Sequence, residues 1–400
     1  MTDSQCYLLS LLSKSLFNTI VECPEVDLKT VLDEAKYHAV VRVAYEGLDK
    51  NNCDIDDLKI WENAAYSNLA NNLKIFQNHY ILHQWMSENS IPYVILKGCS
   101  SAYYYPKAEN RSMGDVDFLV PEDYVSLAGE CLQKQDLKPW DETHIAHIVY
   151  RKHGMHYELH FNIAGIPDGY AGDLVREYMS DVFSQSQVVK CGSGELCFPS
   201  KFHHGLTILL HTCHHMTGEG IGLRHLCDWA VFVNSFSNNE FCDIFEDKLK
   251  SIGLWKFAKV LTQVSIKYLG IDSKTWAEGD YSVADVIMED ILAGGNFGSK
   301  DKQRSMQTLI ISNRGKNGVG KNSMFVQAVK SANMIVYNKW PISKKVKVFL
   351  PFGWIFFGLR RVFREITGKR NKTKVNELIH KAADRRELYK YLHIFEVETQ

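Results

Sequence analysis

The sequence predicts an α+β fold in which a small mixed β-sheet is flanked by N-terminal and C-terminal helical regions. Apolar residues recur at helical spacing from Leu8 to about Ser90 and again from Lys201 to about Lys330. Between these regions, short β-branched and aromatic runs end at glycine or polar turns, a pattern typical of strands. A chain of 400 residues with 45% hydrophobic and 23% charged residues is typical of soluble globular proteins.

These changes in pattern divide the chain into four segments. Residues 1–90 are an N-terminal helical region, and residues 91–200 are the α/β core. Residues 201–330 are a second helical domain, and residues 331–400 are a basic, aromatic segment with a charged tail.

The core is predicted element by element from short runs. "IPYVILKG" is a strand entering a glycine turn, and "DVDFLV" is a second strand. "PEDYVSLAGECLQKQ" is a helix with Pro121 near its start. "HIAHIVYR" and "MHYELHFNI" flank the turn "KHG" and predict a hairpin.

The charge is unevenly distributed. The formal net charge is −1, so the chain as a whole gives no strong signal for nucleic-acid binding. Between Lys339 and Lys374, however, eleven Lys or Arg residues face the single acid Glu365, which leaves about −11 on the rest of the chain.

The ten cysteines are scattered without a Cys-x-x-Cys pair, a usage that favours a reducing cytoplasm. The N-terminus has no pattern of a cleaved signal peptide. The longest apolar run, Val348 to Leu359, has 12 residues, whereas a spanning helix needs about 20. We therefore expect a cytoplasmic protein without a transmembrane segment.

Two aspartates interrupt the apolar run "NRSMGDVDFLV". Residues two apart in a strand point to the same face, so Asp115 and Asp117 project together while Val116 and Phe118 point away. Neighbouring carboxylates raise each other's pKa unless a cation lies between them, and a divalent metal ion is the usual partner. The alternative is that the two aspartates bind no metal and lie on an exposed strand edge or in a turn.

A third acid lies in the predicted hairpin, where Glu158 has apolar and aromatic neighbours. Strands of one sheet could bring it to Asp115 and Asp117. Three carboxylates beside a glycine turn suit metal-assisted phosphoryl transfer, in which bound ions stabilise the attacking and leaving oxygens.

"LKGCSSAYYYPKAENRSMGDVDFLV" together with "YELHF" resembles the nucleotidyltransferase superfamily that includes polymerase beta, and more narrowly a bacterial family of uncharacterised nucleotidyltransferases. The resemblance implies a nucleotidyltransferase core. It implies that Gly98 is the phosphate-binding turn and that Asp115 and Asp117 are metal ligands. Glu158 would complete the site, and Lys97 and Arg111 would contact phosphate.

The resemblance continues into "ILLHTCHHMTGEGIGLRHLCDWAVF", where five residues match the narrow family: His211, His215, Gly222, Arg224 and Asp228. It covers about Ile91 to Phe232, with a weaker match at "LAGGNFG". Two details depart from the broad superfamily pattern: Cys99 follows Gly98, and fifteen residues separate Cys99 from Asp115.

Three other features have competing interpretations. Arg224 could reach a triphosphate or pair with Asp228 one turn later. The histidines and cysteines between His203 and Cys227 suggest zinc, but their spacing favours a packed helix. "GKNGVGKN" resembles a phosphate-binding loop but has Asn322 where Ser or Thr should bind magnesium, which favours a polar loop over a P-loop phosphotransferase dependent on Lys321.

The basic segment contains "KKVKVFLPFGWIFFGLRRVFR", with cations at both ends of an aromatic run. Residues 344–364 could form a helix in a membrane interface, which would place the protein at the inner face of the membrane. The alternative is a C-terminal helix packed on the core with a basic, solvated rim.

Together with these patterns, the resemblance implies a bacterial, metal-dependent nucleotidyltransferase. It would move a nucleoside monophosphate from ATP or another nucleoside triphosphate to a hydroxyl or phosphate, with Mg²⁺ or Mn²⁺ as cofactor and pyrophosphate as product. The acceptor could be a small molecule, a sugar, a peptide or a lipid-linked group. The alternative is a catalytically inactive, nucleotide-binding or regulatory protein of the same fold.

Overall fold

The computed structural model describes residues 1–20, 25–141, 146–152, 154–301, 349–366 and 375–396, with single positions at 304, 333, 336, 337, 340 and 343. The chain forms two compact units. One comprises Met1–Lys302 with Lys390–Gln400, and the other comprises Gln303–Tyr389. The residues that the family resemblance assigns to the site, from Lys97 to Arg224, all belong to the first unit.

The N-terminal region is helical, as predicted: α1 Asp3–Phe17, α2 Leu28–Tyr37, α3 Val41–Gly47 and α4 Ile55–Glu88. Local capping explains where the helices begin. Thr2 accepts the backbone N–H of Gln5, whose side chain accepts the N–H of Thr2 in return. Asp27 caps α2 by accepting the N–H groups of Lys29 and Thr30.

The core contains a five-stranded mixed sheet in the order β1-β2-β5-β4-β3. Its strands are β1 Val94–Ile95, β2 Val116–Leu119, β3 Lys138–Asp141, β4 His147–Lys152 and β5 Met155–His160. Strand β2 is parallel to β5, and the other pairs are antiparallel. The predicted α+β fold with a mixed sheet between helical regions is confirmed.

The register of the sheet fixes which side chains are neighbours. Asp117 on β2 lies opposite Glu158 on β5, and His147 on β4 lies opposite His160 on β5. Along β5, Tyr157 and Leu159 face the hydrophobic core. Because side chains alternate along a strand, Glu158 and His160 share the other face.

Short helices complete the core: α5 Cys99–Ala102 follows β1, α6 Val125–Lys134 follows β2, and α7 Tyr170–Met179 follows β5. A separate two-stranded sheet pairs β6 Gln187–Cys191 with β7 Gly194–Phe198. The hairpin of β4 and β5 and the helix after β2 agree with the sequence prediction. Strand β3, helix α7 and the β6–β7 pair were not predicted.

Helices follow the core: α8 Lys201–Thr217, α9 Leu223–Asn234, α10 Asn238–Ser251, α11 Trp255–Leu269 and α12 Ser282–Gly294. They pack around an aromatic centre that includes Trp229, Phe241 and Phe245, all fully buried. Helices α8 and α9 also supply side chains to the cavities described below. The domain boundaries predicted near residues 90, 200 and 330 stay predictions.

In the second unit, α13 spans Phe349–Ile366, and α14 Val375–Leu392 extends from this unit past its end at Tyr389. The P-loop-like stretch at 315–322 lies outside the described residues. None of the helices in the described ranges is both long and apolar enough to cross a membrane.

Helix α4 holds the segment that precedes β2. The side chain of Asn72, which is fully buried, donates to Glu109 O at 2.8 Å and accepts from Met113 N at 3.2 Å. Asn71 donates to Met113 O at 2.9 Å. These bonds satisfy backbone groups of a segment that lies outside helix and sheet, so its path up to Asp115 is anchored.

Replacing Asn72 by Ala should therefore destabilise the protein by about 1–3 kcal/mol, because it leaves a partly buried carbonyl and a buried N–H without their Asn72 partner. The free energy of unfolding in urea measures the effect. Gln77→Ala, an exposed position on the same helix, serves as the control and should change stability by about 0.5 kcal/mol or less. Equal effects of the two substitutions would contradict the anchoring role.

Candidate active site

Asp115, Asp117 and Glu158 form one cluster. Each offers a carboxylate oxygen, and the three oxygens lie within 4.8 Å of one another. Asp115 directly precedes β2, Asp117 lies within it, and the parallel pairing of β2 with β5 brings Glu158 opposite Asp117. The expectation that strands of one sheet bring the three acids together is confirmed.

Asp117 is only 3% exposed and has two cationic or polar partners. Its Oδ1 lies 3.2 Å from Lys97 Nζ and 3.1 Å from His160 Nε2. Burial opposes ionisation of Asp117, but the Lys97 ammonium and the hydrogen bond from His160 outweigh it and hold the pKa of Asp117 below its ordinary value.

The pKa values of the neighbouring Asp115 and His160 are raised. The negative charge of Asp117, together with burial, raises the pKa of Asp115 to about 7. Burial disfavours the charged form of His160, yet its hydrogen bonds to Asp117 and Glu158 raise its pKa overall. The acids therefore compete for the available positive charge, which is the electrostatic situation that a bound cation relieves.

The turn after β1 requires glycine at Gly98. Its φ of +56° with ψ of −112° is disfavoured for residues with a side chain. A Cβ atom here would also lie 3.2 Å from Nε2 of His79, which is fully buried. This turn brings Lys97 to the carboxylate cluster.

Arg111 is held by a buried ion pair. Its Nε and Nη2 atoms each donate to the Asp228 carboxylate at 2.7 Å, and Tyr105 donates to the same carboxylate at 2.7 Å. The Asp228 charge and its hydrogen bonds raise the pKa of Arg111 despite its burial. The pair joins the segment before β2 to helix α9.

Arg224 lacks such a partner. Asp228 pairs with Arg111 rather than with Arg224, and no ion pair of Arg224 occurs within the described part of the chain. Its guanidinium donates to Ser112 O at 3.3 Å and lies 5.3 Å from the ring centre of Phe297. Burial and the neighbouring charge of Arg111 lower its pKa. A partly buried cation that has no carboxylate partner among the described residues is suited to bind an anion.

Two cavities meet at the carboxylate cluster. The smaller, of about 120 Å³, is lined by the cations Lys97, Arg111 and Arg224 together with Gly98 and both aspartates. The larger, of about 540 Å³, is lined by Glu158 and several histidines. Lys97, Asp115, His211 and Phe297 line both.

The donor set fits a hard divalent cation. Oxygens bound to one octahedral Mg²⁺ at 2.0–2.1 Å lie up to about 4 Å apart, close to the separation within the cluster. Asp115, Asp117 and Glu158 could therefore hold Mg²⁺ or Mn²⁺ after small side-chain movements.

The histidines of α8 and α9 do not form a three-ligand zinc site within the described residues. His211 and His215 are close, with ring centres 4.3 Å apart. Burial lowers the pKa of His211 and of His225, and it lowers the pKa of His215 to about 3. These neutral rings pack against one another and, through His215 and His225, against Phe297.

Sequence reasoning missed His147, His160 and the part that Phe297 takes in the cavities. His160 stands two residues after Glu158 in a predicted strand, so the spacing alone indicates that these two side chains lie on the same face of the strand. His147 reaches the site through the register of its strand, and Phe297 reaches it through packing over a long sequence distance. Local residue spacing predicts neither position.

Replacing Arg111 by Ala should lower the stability of the protein more than replacing Arg224 by Ala. Arg111→Ala leaves the Asp228 carboxylate buried without its cation, and breaking a buried ion pair in this way costs about 3–5 kcal/mol. Arg224→Ala removes one long hydrogen bond to a backbone carbonyl and the contact with the Phe297 ring, so we expect a smaller loss of about 1–2 kcal/mol. Urea unfolding followed by tryptophan fluorescence compares the two variants. Similar losses would contradict the assignment of Arg111 to a structural pair and of Arg224 to ligand binding.

Comparison with known proteins gives a family match. Residues 24–270, more than half of the chain, match the family described as uncharacterised nucleotidyltransferase. No curated protein and no solved structure matches the chain. The matched range includes the carboxylate cluster, both arginines and the cavity-lining histidines, and it begins before the range covered by the sequence resemblance. The resemblance to this family is confirmed.

Proposed function

This chain belongs to the family of uncharacterised nucleotidyltransferases, and we propose that it moves a nucleoside monophosphate from a nucleoside triphosphate to an acceptor hydroxyl or phosphate. The observation that carries the proposal is the clustering of the Asp115, Asp117 and Glu158 carboxylates beside Lys97. In the reaction an acceptor oxygen forms a bond to the α-phosphorus. The bond from that phosphorus to the oxygen bridging to the β-phosphate breaks, and pyrophosphate leaves.

Asp115, Asp117 and Glu158 would hold the divalent cation, Mg²⁺ or Mn²⁺. When bound, such a cation neutralises charge on the phosphate oxygens and lowers the pKa of the attacking oxygen. The Glu158 side chain is 23% exposed, against 4% for Asp117, and it lines the larger cavity. It completes the metal site or accepts the proton of an acceptor hydroxyl.

The cationic side chains that line the smaller cavity would bind the triphosphate. Lys97 and Arg224 line the smaller cavity together with the backbone turn at Gly98. Arg224 is the stronger candidate for bidentate phosphate contact because its guanidinium is not paired with a carboxylate in the described structure. Arg111 lines the same cavity but directs two of its N–H groups to Asp228, so its phosphate contact is proposed only for the remaining nitrogen.

The larger cavity has room for the nucleoside and for an acceptor group, since it measures about 540 Å³ and pockets for drug-sized ligands measure about 300–1,000 Å³. We propose ATP as the first nucleotide to test. The acceptor is a small molecule, a sugar, a peptide or a lipid-linked group, and the weak net charge argues mildly against a long nucleic acid.

Replacing Asp117 by Asn should abolish turnover, because it removes a metal-binding charge while keeping the shape of the side chain. We expect pyrophosphate release to fall by at least about a hundredfold. The measurement uses the full chain with Mg²⁺, each labelled nucleoside triphosphate in turn and cell extract as the source of acceptor. The molecule that becomes labelled is the acceptor, and its identification establishes the acceptor class.

The matched control is Asp123→Asn, an exposed carboxylate on the turn that follows β2, which should retain full activity. Undiminished activity of Asp117→Asn would contradict the mechanism. Metal-dependent binding of ATP or CTP by the wild type without pyrophosphate release would favour the non-catalytic alternative. Loss of activity in Lys321→Ala, with Asp117→Asn active, would favour a P-loop enzyme.

We also propose a peripheral membrane contact through residues 344–364. Along α13, Phe349, Phe352, Ile355 and Phe356 are between 42% and 62% exposed. Positions three, four and seven apart lie on one side of a helix, so these residues form an apolar stripe. Lys and Arg residues flank it in sequence, a combination that suits an anionic membrane surface.

The double substitution Phe352→Asp and Ile355→Asp should reduce co-flotation with vesicles containing about one-third phosphatidylserine, because it places charges on the apolar stripe. Leu73→Asp, an exposed leucine on α4, is the control and should float like the wild type. If the wild-type protein stays wholly in the soluble fraction with these vesicles, the membrane contact is excluded.

A further inference from the structure

We propose that His147, Glu158 and His160 form a binding site for a divalent transition-metal ion, beside the oxygen-ligand site of Asp115 and Asp117. Each of the three residues offers one ligand atom, and these atoms lie within 4.8 Å of one another. The inference does not depend on the transfer reaction, which requires only carboxylate ligands.

The backbone of the sheet brings the three side chains together. His147 and His160 are direct partners in the antiparallel pairing of β4 with β5, so their side chains lie on the same face. Glu158 stands two residues before His160 on β5 and shares that face. The arrangement is thus set by strand register rather than by flexible loops, and such sites hold their ligands precisely.

The distances match the first coordination shell of a small ion. Glu158 Oε2 lies 3.4 Å from His160 Nε2 and 3.9 Å from His147 Nε2. Ligands at 2.0–2.1 Å from a tetrahedral ion are about 3.4 Å apart. One of these two separations already has this value, and the other requires a movement of about half an ångström. The third separation, between the ligand nitrogens of His147 and His160, is no more than 4.8 Å.

The ligand chemistry differs from that of the neighbouring cluster. Two imidazole nitrogens and one carboxylate favour Zn²⁺, Co²⁺ or Fe²⁺, whereas Mg²⁺ prefers oxygen ligands alone. Glu158 belongs to both groups, so it can bridge the two sites. All three residues line the larger cavity, which leaves coordination positions open to water or to a bound molecule, as in catalytic rather than structural zinc sites.

A simpler arrangement uses the same contacts without a metal. His160 would donate through Nε2 to Asp117, at 3.1 Å, and to Glu158, and would act only as a counter-charge for the carboxylates. His147 would then contact Glu158 and His160 without a shared ion. Direct measurement of metal ligation separates the two arrangements.

The experiment uses the full chain without a polyhistidine tag, freed of metal by a chelator and titrated with Co²⁺ while its visible absorption is recorded. We expect one Co²⁺ ion with nitrogen ligands, displaced by Zn²⁺ but not by millimolar Mg²⁺. His147→Gln and His160→Gln should each weaken Co²⁺ binding by about tenfold or more. His156→Gln, a histidine on the same strand, should bind Co²⁺ like the wild type.

X-ray absorption of the wild-type protein loaded with Zn²⁺ tests the ligands without any substitution. The expected first shell contains two imidazole nitrogens and carboxylate oxygen. A shell of oxygen alone would overturn the proposal. So would Co²⁺ binding that is unchanged in both histidine variants but lost in Asp117→Asn, because the ion would then lie on the carboxylate cluster. Pyrophosphate release with Mg²⁺, measured separately, reports on the proposed transferase activity and not on this site.

Discussion

Three carboxylates, from Asp115, Asp117 and Glu158, lie within 4.8 Å of one another on one face of the sheet. Gathering negative charge in a partly buried place costs free energy, because the charges repel and water cannot fully solvate them. Neighbouring groups reduce this cost by donating to Asp117 and by favouring protonation of Asp115. Lys97 and His160 donate to Asp117, and the pKa of Asp115 rises to about 7 under the charge of Asp117 and its own burial.

The segment between Gly98 and Asp115 must be held firmly if it is to place these charges. Three parts of the chain hold it: asparagines of α4 bond to its backbone, Arg42 of α3 donates to Asn110 at 3.0 Å, and Asp228 of α9 pairs with Arg111. The segment of fifteen residues between Cys99 and Asp115, which is longer than in the superfamily pattern, is therefore anchored by helices that precede and follow the core in sequence. Because Asp228 pairs with Arg111, Arg224 has no carboxylate partner within the described ranges.

The parts of the site that follow from local spacing were predictable from the sequence. Asp115 and Asp117 share a face because they are two apart in a strand, and the "KHG" turn between two apolar runs predicts the hairpin that carries Glu158. Strand β3 escaped prediction because "KPWD" is exposed along its whole length and contains a proline, both unusual in strands. The pairing of His147 with His160, and of Arg111 with Asp228, depends on register and on packing across long sequence distances, which periodicity cannot supply.

The ion pair between Lys97 and Asp117 would link the proposed cation site to the proposed phosphate site. Lys97 supplies one positive charge to the cluster through Asp117, at 3.2 Å, and it lines both cavities. A divalent ion bound to Asp117 would bring two positive charges and replace the ammonium as its main partner. The ammonium would then be available to phosphate oxygens in the smaller cavity, beside Arg224. Because binding free energies are reciprocal, a phosphate that draws Lys97 away from Asp117 would in turn strengthen binding of the divalent ion.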